Sequence, residues 1–182
     1  MTQRTTRVML VDDHTLVREG IRHILQGTPG FEVIAEAGDG ETALRLAQST
    51  RPDLVVLDLS LPGLSGLEVT TRIRESLPEI RVLILSVHDH QEYVLGAVRA
   101  GAQGYLRKDT SPAELREALQ AVARGESYFS PPVARHLSAA VRGEPSTADA
   151  GSRLDRLTPR EREVLAGIAG GETSRTIAAR LG

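Results

Sequence analysis

The stretch DLVVLDLSLPGLSG, residues 53–66, decides the fold. In its first part, the predicted strand at 53–57, residues 54–57 are apolar without alternation, as expected for a strand buried on both faces of a parallel sheet. Asp58 follows directly, and the Pro62–Gly63 pair then marks a loop before the next helix. A buried strand that ends in a carboxylate predicts an α/β sheet with a site beyond the carboxyl ends of its strands.

Strand-like and helix-like segments alternate on both sides of this stretch. We predict strands at 7–11, 31–37, 53–57, 80–85 and 104–106, and helices at 15–26, 41–48, 67–75, 92–99 and 112–124. Strands that alternate with helices indicate a parallel sheet covered on both faces. The sequence therefore predicts a doubly wound, five-stranded α/β domain.

Composition divides the chain into three parts. Residues 1–129 carry the α/β pattern, and residues 130–153 are predicted to be a linker, with a short helix at 133–141. Residues 154–182 predict a second, all-α domain of two helices joined by Gly170–Gly171, a helix-turn-helix arrangement. Two short helices cannot bury a core of their own, so we expect this small domain to be incomplete.

Charge and cysteine content limit the class of protein. The net charge of the 182 residues is −2, so no overall positive field attracts nucleic acid, although residues 151–182 carry six arginines against four acidic residues. Cysteine is absent, which excludes disulfides and thiolate metal sites. The sequence shows neither a signal peptide nor an apolar run of membrane-spanning length. We therefore expect a cytoplasmic protein without membrane association.

Polar side chains follow the predicted strands at one edge of the sheet. Asp12 and Asp13 follow the first strand, Asp58 the third, Ser86 the fourth and Lys108 the fifth. Lys108 is the single lysine among 22 basic residues, which favours a specific need for a compact ammonium. Three close carboxylates repel one another unless a cation neutralises them, and all-oxygen ligation suits Mg²⁺. A carboxylate beside Mg²⁺ and an ammonium predicts a site that accepts a phosphoryl group.

Several motifs in the right order resemble those of one protein family. VMLVDDH, DLVVLDLSLPGLSG, VLILSVHD and GYLRKD, within residues 7 to about 125, resemble the receiver domain of a two-component response regulator, a flavodoxin-like fold. The tail LTPREREVLAGIAGGETSRTIAARLG, residues 157–182, resembles the start of a LuxR-type helix-turn-helix domain. Together the two resemblances indicate the NarL/FixJ family of bacterial transcription regulators.

The resemblance implies roles for the acidic residues. Asp58 would be the phosphoacceptor. The side chains of Asp13 and Asp58 would bind Mg²⁺, with Asp12 helping, and the backbone carbonyl of Ser60 would be a further ligand.

The resemblance also implies a switch. Lys108 would pair with the phosphoryl group. Ser86 would move to hydrogen-bond it, and Tyr105 would turn inward as Ser86 moves. This describes a population shift between two states that is biased by a local change of charge.

Partners are implied in the same way. A sensor histidine kinase would phosphorylate the protein, and phosphorylation would favour a homodimer. The dimer would use helices 15–26 and 112–124, or the face of 92–99, 104–106 and 112–124. The recognition helix of the second domain would follow Gly182, so promoter DNA is the expected partner of the full-length protein and not of this chain.

Other interpretations remain open from the residues alone. Phosphohydrolases of the haloacid dehalogenase type also use an aspartyl nucleophile with Mg²⁺, but theirs ends the first strand, so we do not expect an enzyme. A receiver that only binds other proteins is a third possibility. A transition-metal site of His14, His88 and His90 is a further alternative, although His88 and His90 are expected to be solvated.

Overall fold

The computed structural model describes residues 5–142. The elements in chain order are β1 Thr6–Val11, α1 Thr15–Gln26, β2 Phe31–Ala37, α2 Gly40–Thr50, β3 Leu54–Leu57, α3 Gly66–Ser76, β4 Arg81–Ser86, α4 Gln91–Ala100, β5 Gly104–Arg107, α5 Pro112–Ala123, β6 Tyr128–Phe129 and α6 Pro131–Val141. The ten predicted strands and helices of the α/β domain are all present, with bounds that differ by about two residues at most. The predicted doubly wound α/β fold is confirmed.

The sheet is parallel throughout, in the order β2-β1-β3-β4-β5-β6. The prediction of five strands was wrong by one, because Tyr128 and Phe129 pair with Gly104 and Tyr105 and so add β6 beside β5. Two residues are too few to show the run of apolar residues by which a buried strand is identified.

Alternate residues of the central strands build two cores, one on each face of the sheet. Val8 and Leu10 of β1 join the core beneath α1 and α5, whereas Met9 and Val11 join the core beneath α2, α3 and α4. This division follows from the two-residue period of side chains along a strand. Because both faces are covered, the carboxyl ends of the strands form the open edge at which a site can lie.

Helix α6 belongs to this compact unit. Val133 is fully buried, Leu137 packs against the same core, and α6 contacts α4. The unit extends to Arg142, so the structure places the first residues of the predicted linker at 130–153 on the α/β core. The rest of that linker and the predicted helix-turn-helix at 154–182 lie outside the described residues. No helix within residues 5–142 has the length and apolar character needed to cross a membrane.

Candidate functional site

Backbone hydrogen bonds fix the site residues where the strands end. The N–H of Asp58 donates to the carbonyl of Val11 at 2.9 Å, and the N–H of Lys108 donates to the carbonyl of Ser86 at 2.9 Å. The parallel ladder therefore continues one residue past each strand. The side chains that follow β3 and β5 are held at the same edge of the sheet.

The Lys108 ammonium lies between two carboxylates. Its Nζ is 2.8 Å from Asp58 Oδ2 and 2.7 Å from Asp12 Oδ2. The lysine side chain is 12% exposed and the two aspartate side chains are 1% and 4% exposed, so solvent screens these contacts weakly. Burial opposes protonation, but the two carboxylates outweigh it and raise the pKa of Lys108 above its usual value. Lys108 is therefore a fixed positive charge at the site.

The second oxygen of Asp58 bears on whether these residues can hold a metal ion. Asp58 Oδ1 is buried and has no hydrogen-bond partner in the described part of the chain. One ligand atom each of Asp12, Asp13, His14 and Asp58 lie within 4.8 Å of one another. The three carboxylates carry three negative charges and Lys108 carries one positive charge, so the net charge of the site is −2. A divalent cation would balance this charge. The residues present therefore fit Mg²⁺, as predicted from the sequence.

The loop after β1 presents its acidic side chains together with His14. The N–H of His14 donates to Asp12 Oδ1 at 2.8 Å, and its Nδ1 lies 2.7 Å from Asp13 Oδ1 and 3.1 Å from Asp12 Oδ1. The metal-ligand cluster within residues 5–142 includes neither His88 nor His90. The three-histidine alternative is therefore not formed in this part of the chain.

Ser86 and Tyr105 meet at His88. Both side chains are fully buried, Tyr105 already facing inward. Ser86 Oγ accepts from the N–H of His88 at 3.1 Å, and the Tyr105 hydroxyl donates to the His88 carbonyl. Burial raises the pKa of Tyr105 well above its usual value, and the nearby Ser86 hydroxyl opposes this only in part. The two predicted switch residues thus share one partner.

The expectation that His88 is solvated was wrong. Its ring is half-buried and stacks on Tyr93 of α4, with ring centroids 4.6 Å apart, and its Nε2 lies 3.2 Å from Ser60 Oγ. The periodicity of the sequence does not predict these contacts, because they join the loop after β4 to a residue of α4 and to the loop after β3, 28 residues earlier in the chain. They place the exposed residue Ser60 beside the start of α4. The metal-binding role of the Ser60 carbonyl stays a prediction.

Gly66 is a site residue that sequence analysis missed. A Cβ at this position would lie 2.2 Å from the Asp58 carbonyl oxygen and 2.7 Å from Leu59 Cα. The N–H of Gly66 also donates to the carbonyl of Leu59 at 2.9 Å. Ser65 caps α3 in a capping box with Glu68, so the helix begins directly against the loop that follows Asp58. A glycine directly after an N-cap serine was the available signal.

Comparison with known proteins agrees with this geometry. Residues 8–120 match the family described as response regulator receiver domain, which covers more than half of the chain. The chain belongs to the response regulator family. Receiver domains receive their signal from histidine kinases, so the match also implies a kinase partner for this response regulator.

Relatives place this response regulator among transcription regulators. It is 38% identical over 179 residues to the nitrate/nitrite response regulator protein NarL of Escherichia coli K12, covering 98% of this chain and 82% of that protein. It is 43% identical over 175 residues to the transcriptional activator protein ExaE of Pseudomonas putida, covering 96% of this chain and 80% of that protein. A solved two-component response regulator of the LuxR family from Aurantimonas sp. SI85-9A1 superposes with a TM-score of 0.72 at 45% identity, covering 77% of this chain and 99% of that one. This response regulator is therefore of the NarL type, which links two-component signalling to transcription.

Proposed function

We propose that Asp58 accepts a phosphoryl group from a phosphohistidine of a sensor histidine kinase. The observation that carries the proposal is the buried Asp58 carboxylate, with one oxygen on Lys108 and the other without a hydrogen-bond partner. A carboxylate oxygen of Asp58 attacks phosphorus, the phosphorus–nitrogen bond of the donor breaks, and the imidazole nitrogen leaves with the bonding electron pair. The product is an acyl phosphate on Asp58.

Mg²⁺ would be held by the side chains of Asp12, Asp13 and Asp58 and by the backbone carbonyl of Ser60. When bound, it would offset the negative charge of the phosphoryl oxygens. Two observations support this ligand set: the net charge of the site is −2, and the proposed ligand atoms are oxygens, which Mg²⁺ prefers. Lys108 would then leave part of its contact with the carboxylates and pair with the phosphoryl group, which it can reach because its ammonium already lies against Asp58.

The switch would work through the loop between β4 and α4. A phosphoryl group on Asp58 offers acceptor oxygens to the Ser86 hydroxyl, which now accepts from the His88 N–H. Drawing Ser86 toward the phosphoryl group weakens that bond, so the loop at His88, whose carbonyl holds the Tyr105 hydroxyl, would be released to move together with Tyr105. The two arrangements differ in their hydrogen bonds, so phosphorylation shifts the population from one to the other.

The output of the full-length protein would be a homodimer that binds promoter DNA in the cytoplasm. We propose the α1–α5 face for the dimer, because α6 packs on α4 and β6 pairs with β5 at the rival face. Leu16, Gly20 and His23 form an exposed stripe on α1 at helical spacing, and Leu16 is 82% exposed. The phosphoryl chemistry would serve this switch rather than steady turnover of a substrate.

The test is phosphoryl uptake from a small phosphodonor, followed on phosphate-affinity gels with and without Mg²⁺. We expect labelling of wild type only with Mg²⁺, and none of Asp58→Asn. Asp109→Asn is the matched control, because Asp109 is an exposed carboxylate that pairs with Arg107 outside the cluster. Equal labelling of Asp58→Asn and wild type would contradict the assignment. Continuous release of phosphate with many turnovers would instead favour a phosphohydrolase.

A further inference from the structure

Arg18, near the start of α1, contacts the main chain of the acidic loop. Its Nη1 donates to the backbone carbonyl of Asp12 at 2.5 Å, and its Nη2 donates to Thr15 Oγ1 at 3.3 Å. Its Nε donates to Glu36 Oε2 of β2 at 3.3 Å. The planar guanidinium thus ties the strand end, the helix start and the neighbouring strand together, a geometry that needs the fixed fork of an arginine.

Asp12 is consequently held on both sides of its Cα. Its N–H donates to the carbonyl of Ala37 at 3.1 Å, and its carbonyl accepts from Arg18. The side chain is then restrained as well, because Oδ2 contacts Lys108 and Oδ1 accepts from His14. The loop that carries two of the three carboxylates is therefore ordered before any ion arrives.

Glu36 orients Arg18 and is shared with a second arginine. Arg22, one turn further along α1, donates from Nε to Glu36 Oε1 at 2.7 Å. The Arg18 side chain is 17% exposed and that of Arg22 is 41% exposed. Arg22 has the same charge and the same carboxylate partner as Arg18, but in the described part of the chain its guanidinium hydrogen-bonds Glu36 and not Asp12.

We propose that Arg18 is a positioning residue for the magnesium site, holding the Asp12 main chain so that the loop carboxylates are set for the ion. The proposal rests on the magnesium site of the proposed function. Partners that orient metal ligands typically change metal affinity by about 10–100-fold when removed. Ordering the ligands in advance lowers the cost of binding, since less conformational freedom is lost when the ion enters.

If Arg18 acted through its charge alone, its removal would have the opposite effect on the affinity for Mg²⁺. Arg18 places a positive charge close to a cation site, so removing it should strengthen Mg²⁺ binding if electrostatics dominates. Positioning requires that binding weaken instead. The sign of the change in affinity therefore separates the two effects, and Arg18→Lys, which keeps the charge and loses the fork, gives an independent answer.

The experiment titrates Mg²⁺ alone into the full chain, following the NMR signal of the His14 N–H that donates to Asp12 Oδ1. We expect Arg18→Gln and Arg18→Lys to bind Mg²⁺ about tenfold more weakly than wild type. Arg22→Gln, which loses the same charge without touching Asp12, should stay within about twofold. Melting temperatures measured without Mg²⁺ check that all variants are folded. Phosphoryl uptake by Arg18→Gln should reach the wild-type rate once Mg²⁺ is saturating.

Several results would overturn the proposal. Equal or tighter Mg²⁺ binding by Arg18→Gln, in a series where wild type binds, would show that Arg18 acts only as a charge. Equal weakening in Arg22→Gln would assign the effect to the Glu36 network as a whole. A rate that stays low at saturating Mg²⁺ would show a role other than placing the ligands. Failure of the proposed function is distinguishable, because wild type itself would then bind no Mg²⁺ and take up no phosphoryl group.

Discussion

The Tyr105 hydroxyl donates a hydrogen bond to the backbone carbonyl of His88, so a fully buried side chain of β5 is tied to the loop that follows β4. The backbone N–H of His88 donates to the hydroxyl oxygen of Ser86, at the end of β4. This loop leads directly into α4, which begins at Gln91. A displacement of the loop must therefore break both hydrogen bonds or carry both side chains with it.

Tyr105 should make the protein sensitive to alkaline pH. Burial raises the folded-state pKa of Tyr105 above the ordinary value of 10.0, so the folded protein keeps a proton that the unfolded chain loses. Its contribution is complete below about pH 10 and is lost as pH rises toward the folded pKa, by up to about 1.4 kcal/mol per pH unit. Urea unfolding between about pH 9 and 11 should show this decline in wild type and in Tyr93→Phe, which changes an exposed tyrosine, but a shallower one in Tyr105→Phe. Parallel declines in all three proteins would contradict the expectation.

Lys108→Arg should impair the response to phosphorylation although the charge is kept. The ammonium contacts two carboxylates at 2.7 and 2.8 Å in a space that leaves it 12% exposed, and a broader guanidinium cannot reproduce both contacts there. We expect the variant to lose most of the dimerisation that beryllofluoride, a phosphoryl mimic, induces in wild type. Sedimentation measures the fraction of dimer. Arg99→Lys, on the exposed side of α4, is the control. Full dimerisation of Lys108→Arg would show that the lone lysine is incidental.

Gly66→Ala should destabilise the protein and reduce phosphoryl uptake. The added methyl would lie within 2.2 Å of the Asp58 carbonyl oxygen, so either α3 or the Asp58 loop must shift. Overpacking of this kind costs about 1–3 kcal/mol, which urea unfolding measures. Gly20→Ala is the control, because a Cβ there meets nothing within 4 Å and should instead add about 0.5–1 kcal/mol to helix stability. Unchanged stability and uptake in Gly66→Ala would show that the contact relaxes freely.

The proposed α1–α5 dimer face can be tested with two charged substitutions. Gly20→Arg introduces a bulky cation into the exposed stripe of α1, whereas Val98→Arg does so on α4, where Val98 is 39% exposed. In the presence of beryllofluoride and Mg²⁺, we expect wild type and Val98→Arg to sediment as dimers and Gly20→Arg as a monomer. The reverse pattern would assign the interface to the α4 face.

Much of the fold and of the site was predictable because its signals are local. The apolar run before Asp58 and the acidic pair after β1 identify strand ends, and parallel topology brings such ends together. The single lysine of the chain indicated Lys108, and the structure places it between Asp12 and Asp58. These inferences need only periodicity, chain order and the chemistry of each side chain.

The parts that escaped prediction depend on tertiary contacts. β6 has two residues and exists through its pairing with β5. The position of His88 is set by stacking on Tyr93 and by a contact with Ser60, 28 residues earlier in the chain. Arg18 is one of many arginines in the sequence, and its contact with the Asp12 carbonyl depends on how α1 packs against β2. Propensity carries no information on such pairings.

The burial of Val133, a residue of α6, has a consequence for how regulators of this kind can be recombined. A graft that joins this receiver to a foreign output domain directly after Phe129 would remove α6 and leave the apolar side of α4 open to water. An exposed patch of that sort favours aggregation. A domain exchange should therefore place the junction after Arg142. The segment from Ser130 to Arg142 should be kept with the receiver rather than with the output domain.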